Sequence, residues 1–67
     1  MTEHPLKTYR SEKGITQAEL ADQLGVWPLT VSRWERFDRT PRLKDAKRIS
    51  EKTGIPVADL LTAEAAQ

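Results

Sequence analysis

The sequence contains no cysteine and one histidine. No disulfide can staple the fold, no cysteine-based metal site is possible, and a lone imidazole does not make a structural zinc site. No apolar run approaches the roughly 20 residues of a membrane span. The first ten residues are polar and show no signal-peptide pattern. Enzyme signatures are also missing: there is no paired-carboxylate, metal-cluster, nucleophile or glycine-rich phosphate pattern. A chain of 67 residues leaves little room for a substrate pocket. The expectation is a protein that is not an enzyme, needs no cofactor or metal, does not enter a membrane, and works in a reducing cytoplasm.

An excess of one charge is scarce too, at a net +1, which alone does not point to nucleic acid. The distribution is more informative. From Trp27 to Arg48 there are seven basic residues against three acidic ones, a net of +4. Residues 1–26 carry a net of −1 and residues 49–67 a net of −2. The length implies one domain, one that buries only about 60% of the surface its unfolded chain exposes.

The stretch from Thr16 to Glu35 organises the rest. Thr16 and Glu19 have the spacing of a capping box, in which each side chain takes the other's backbone N–H. Leu20, Ala21 and Leu24 follow at helical spacing. Gly25 suits a left-handed helix end, and Pro28 suits the first turn of a second helix. On a helical wheel Val31 and Trp34 share one side, flanked by Thr30 and Glu35. Leu29, Ser32, Arg33 and Arg36 occupy the other. A thin face with short polar and cationic side chains is what a helix in a DNA major groove needs. An ordinary solvated face of a helical hairpin has the same look.

Gln17-Ala18-Glu19-Leu20-Ala21, Leu24-Gly25-Val26 and Thr30-Val31-Ser32-Arg33-Trp34-Glu35 resemble the helix-turn-helix of the phage repressor and Cro family of small transcription regulators. Leu6 to Gly14 resembles its first helix, Arg39-Thr40-Pro41 its basic loop, and Gly54 to Leu61 its last helix. The resemblance covers roughly residues 5–61. It implies an all-α, five-helix, lambda-repressor-like DNA-binding domain whose helices 2 and 3 form the helix-turn-helix. It also implies an ion pair between Arg10 and Glu35. Gln17, at a helix N-terminus, is a candidate for a DNA phosphate. Pro28, Leu29, Ser32 and Arg33 are the expected base readers, Arg33 through guanine O6 and N7. Arg36, Arg39, Arg42 and Lys44 are candidates for backbone phosphates, with Arg42 placed to follow an A·T-rich minor groove.

Two residues depart from the family pattern. Trp27 stands where a Ser or Thr cap is usual. It is expected to cover the turn as a lid on the core; the other choice turns its ring toward DNA, against a thymine methyl or a sugar edge. Phe37 stands where Gly usually permits positive φ, so the exit loop 36–41 is expected to be reshaped. Phe37 then either tucks into an apolar gap or joins a dimer contact.

Elsewhere, residues 1–5 are read as a flexible arm, with His4 a bystander. Helix 1 spans 6–13 with Leu6 and Tyr9 inward. Helix 4 spans 43–53 and turns Leu43, Ala46, Ile49, Ser50 and Thr53 to one face. Helix 5 spans about 57–61, with one of Leu60 and Leu61 closing the core, and residues 62–67 form a frayed tail. The functional expectation is a sequence-specific regulator of transcription, a repressor of phage, prophage or mobile-element type, acting as a homodimer on a two-half-site operator. The competing expectation is a protein-interaction or antitoxin-like module that keeps the fold without reading bases. Trp27, Leu29 and Phe37 would then form an exposed apolar patch.

Overall fold

Helix boundaries in this protein follow from the chemistry at their ends. The structure, a computed structural model, describes residues 3–62. It contains five helices: α1 (Pro5–Lys13), α2 (Gln17–Leu24), α3 (Pro28–Glu35), α4 (Leu43–Thr53) and α5 (Val57–Thr62). No strand occurs among the described residues.

Helix α2 begins with the capping box. Thr16 Oγ1 accepts from the Glu19 N–H at 3.1 Å, and the Thr16 N–H donates to Glu19 Oε1 at 2.9 Å. It ends at Gly25, whose φ of 71° would strain any residue with a Cβ. Arg48 reaches across from α4 and donates to the Leu24 carbonyl at 3.4 Å, so one of the open carbonyls at the end of α2 is satisfied by a neighbour. Pro28 opens α3 at its first turn, where a missing N–H removes no helical bond. At the far end of α4, Thr53 Oγ1 donates to the Ile49 carbonyl at 2.8 Å and accepts from the Ile55 N–H at 3.2 Å.

The start of α1 differs from the expectation of a flexible arm with a bystander histidine. His4 is buried, and its Nδ1 accepts the Leu6 N–H at 3.1 Å, so it caps α1 with Pro5 at the first turn. Its ring lies 5.3 Å from that of Phe37, tilted by 58°. Burial is possible because the neutral imidazole spends its one acceptor on a backbone donor that α1 cannot satisfy internally. Of the expected arm, Met1 and Thr2 lie outside the described residues, as do residues 63–67 of the expected tail.

The core consists of Leu6, Leu20, Ala21, Leu24, Val31, Trp34, Ala46, Ile49 and Leu60. Tyr9, Ile15, Val26, Ile55, Val57 and Leu61 pack around it, half-buried. Each fully buried leucine contributes roughly 1.5–3 kcal/mol by leaving water. Helix α3 sits against α2 and α1, α4 against α2, and α5 against α4. Leu43 does not join the buried face of α4; it is 53% exposed. As the first residue of the helix its side chain leans toward the N-terminus, beyond the edge of the core.

Candidate nucleic-acid interface

Helix α3 has two unlike sides. Val31 and Trp34 are buried in the core, and Glu35 is buried beside them. Pro28, Leu29 and Arg33 are exposed, and Ser32 is half-buried. Beyond the end of α3, Arg36 and Arg39 of the exit loop, Arg42 at the cap of α4 and Lys44 in its first turn are all exposed.

The end of α3 is pinned by a part-buried polar cluster around the buried Glu35. Arg10 Nε approaches Glu35 Oε2 at 2.6 Å, and Arg10 Nη2 approaches Oε1 at 2.8 Å, a two-point guanidinium–carboxylate pair. The Gln17 side chain donates a third bond to Oε1 at 3.0 Å. Three helices therefore converge on one carboxylate. Burial alone would raise the Glu35 carboxyl, but the bonds from Arg10 and Gln17 and the Arg10 charge outweigh it, leaving it below the usual carboxylate range. The bond to Glu35 in turn raises Arg10. His4 is shifted down by burial, an effect that the nearby Glu35 charge only partly offsets. Gln17 thus turns its amide inward, opposite to the outward placement expected of it. The carboxylate at the end of α3 offers that amide a charge-assisted bond, stronger than one to water.

The chain leaves α3 through a Schellman turn. The Asp38 N–H donates to the Arg33 carbonyl at 2.9 Å and the Phe37 N–H to the Trp34 carbonyl at 3.1 Å. Phe37 holds the left-handed position, with φ of 63°. The loop is not reshaped to avoid this conformation, as the sequence suggested it would be. The two turn bonds and the half-buried ring against His4 hold Phe37 there, at a backbone cost of about 1–2 kcal/mol.

Beside α3 lies a cleft of about 200 Å³ lined by Thr30, Arg33, Trp34, Arg39, Thr40, Arg42 and Asp45. It brings three of the expected DNA-contacting arginines to one place. Arg36 stands apart and pairs with Asp38 at 3.3 Å on the surface, an interaction worth about 0–1 kcal/mol and readily exchanged for another anion.

A family model described as helix-turn-helix matches residues 6–60. The chain belongs to the helix-turn-helix family. It is 34% identical over 59 residues to the HTH-type transcriptional activator BcrR of Enterococcus faecalis, covering 88% of this chain and 29% of that protein. It is 26% identical over 57 residues to the cryptic phage CTXphi transcriptional repressor RstR of Vibrio cholerae, covering 85% of this chain and 51% of that protein. A third relative, an HTH-type transcriptional regulator of Methanocaldococcus jannaschii, is 36% identical over 59 residues, with 88% of this chain and 89% of that protein covered. The chain thus spans about three-tenths of the activator and half of the repressor. No solved structure gives a significant match.

The helix-turn-helix assignment makes α2 and α3 the two helices of the motif, in a lambda-repressor-like arrangement of five helices. Against that arrangement Trp27 is not the expected lid: it is 79% exposed. The turn is closed without it, by Val26 packing on the core and the Val26 N–H donating to the Ala21 carbonyl at 3.0 Å. Sequence reasoning missed Thr30, Thr40 and Asp45 as neighbours of the arginine cleft. Thr30 was legible as a flank of the buried side of α3; Thr40 and Asp45 arrive there through the loop path and had no local signal.

Proposed function

We propose that the chain is a sequence-specific, double-stranded-DNA-binding regulator of transcription, a repressor of phage, prophage or mobile-element type, with α3 laid in the major groove. The observation that carries this reading is the two-sidedness of α3. Its apolar side is fixed in the core, and its outward side presents Pro28, Leu29, Ser32 and Arg33 beside a three-arginine cleft. Arg33 reads a guanine through O6 and N7, Leu29 and Pro28 act by apolar contact and shape, and Ser32 bonds either base edge. Arg36, Arg39, Arg42 and Lys44 hold phosphates, Arg42 at the minor-groove margin. Gln17 serves the same end through its backbone N–H at the start of α2, since its side chain is engaged with Glu35.

One such domain reads one half-site. A homodimer on DNA places two α3 helices about 34 Å apart, so the operator is a pair of related half-sites. Repression then follows from occupying DNA that polymerase needs. The similarity to a phage repressor supports this choice, although a transcriptional activator is among the relatives. Exposed Trp27 and Leu29 favour the second reading, a protein-binding module, but Phe37 does not complete their patch because its ring packs on His4.

Selection of bound duplexes from a random pool, at low salt, tests the reading. It is expected to return a two-half-site consensus with a guanine that Arg33→Ala no longer enforces, a loss of roughly 1–3 kcal/mol of discrimination at that base pair. No enrichment at all, with binding to another protein instead, supports the interaction module.

A further inference from the structure

We propose that Trp27, together with Leu29, senses thymine methyl groups, so that base selection rests in part on a residue outside the recognition helix itself. This deepens the DNA-binding reading above and rests on it.

Three observations carry it. First, Trp27 is 79% and Leu29 56% exposed, both at the leading end of α3, where a recognition helix enters the groove. Second, Trp27 occupies the N-cap position and makes no side-chain cap bond. Ser, Thr, Asp or Asn there would stabilise the helix, and the exposed indole recovers nothing comparable from the core. A broken local rule with no structural return marks a position shaped by what it binds. Third, the groove beneath the indole is lined by Ala21, Asp22, Gly25 and Val26. The Asp22 carboxylate there repels a phosphate, so the surface around Trp27 suits an uncharged partner, while Arg33 one turn beyond Leu29 supplies the attraction to DNA. The major groove offers one apolar group to such a surface, the C5-methyl of thymine. A tryptophan ring meets it with little loss of rotamer freedom, having only two side-chain torsions.

The test uses the duplex recovered by selection and the same duplex made with deoxyuridine for thymidine, which removes only the methyl groups. Wild type is expected to bind the uracil duplex more weakly, by about fourfold for each methyl read, the factor for one buried methylene. Trp27→Ala and Leu29→Ala should each shrink that ratio toward one, and Trp27→Ser, which restores a cap, should do the same while folding at least as well. Trp34 is buried, so a change in tryptophan emission on adding the duplex, absent in Trp27→Ala, reports the ring at position 27. Equal binding of the thymine and uracil duplexes by wild type overturns the proposal and leaves the DNA-binding reading intact. So does a ratio unchanged in Trp27→Ala. Failure to retard any duplex overturns both.

Discussion

The two ends of α3 are built on opposite terms. At its start, Trp27 and Leu29 stand in solvent, and no side chain caps the helix. At its finish, Glu35 is held from α1 and α2, the chain exits through a Schellman turn, and Phe37 leans on the cap of α1. The start is open to a ligand and gives up local stability; the finish spends polar groups and a strained residue on fixing the helix in place. Exposed surface and anchor are thus separated along only eight residues.

That contrast breaks most sharply at Glu35. Glu35→Ala leaves the largely buried Arg10 guanidinium without its partner and should cost about 3 kcal/mol or more. For a domain of this size that lowers Tm by more than 10 °C or so. An unchanged melting curve would mean that the cluster anchors nothing.

Next in size is His4. His4→Ala removes a buried ring and a helix cap together, an expected loss of about 2 kcal/mol. The same residue sets a pH dependence. Its folded-state pKa lies below the ordinary histidine value of about 6.5. Protons therefore bind the unfolded chain more readily, so stability is full above that value and falls as the pH drops through it toward the folded-state pKa. A protonated Nδ1 also cannot accept the Leu6 N–H. Glu35, whose pKa is lowered, contributes stability above the ordinary carboxylate range that is lost only in stronger acid. Urea midpoints measured between about pH 7.5 and 5 should decline in wild type and stay level, apart from background titration, in His4→Asn, which keeps a capping acceptor but has no proton to gain.

A smaller effect separates strain from packing at Phe37. Phe37→Ala loses the ring contact and keeps the left-handed conformation; Phe37→Gly loses the ring and relieves the strain. The glycine variant should therefore be the more stable of the two by about 1 kcal/mol, the reverse of the order in a helix interior. The smallest change, of opposite sign, belongs to the open end. Trp27→Ser should raise stability by roughly 0.5–1 kcal/mol through the restored cap, read as a rise of a few degrees in Tm. A fall instead would show the indole to be part of the fold.

Much of the frame was legible because its signals are local. The Thr16–Glu19 box, the left-handed Gly25 and the Pro28 start each declare themselves within four residues, and the spacing of Val31 and Trp34 gives the buried side of α3. What could not be read depended on distant neighbours. His4 caps α1 through a neighbour two residues away, but the ring it packs against, Phe37, comes from the other side of the motif. A proline at position 5 following a possible acceptor was a weak sign of a cap that the reading as a loose arm passed over. Gln17 turns inward because Glu35 needs a third donor. Trp27 defied the preference of large aromatics for burial because Val26 already closes the turn, and Leu43 because the first residue of a helix leans past the layer it begins.

The grip on Glu35 from two other helices has a mechanical consequence. With one carboxylate tethered from α1 and from α2, α3 cannot roll about its own axis without losing several charge-assisted bonds together. The set of side chains it presents is consequently a fixed key. In the proposed complex with DNA, a duplex of altered spacing or curvature would be accommodated by bending of the DNA, or by a swivel between the two proposed copies of the domain, and not by α3.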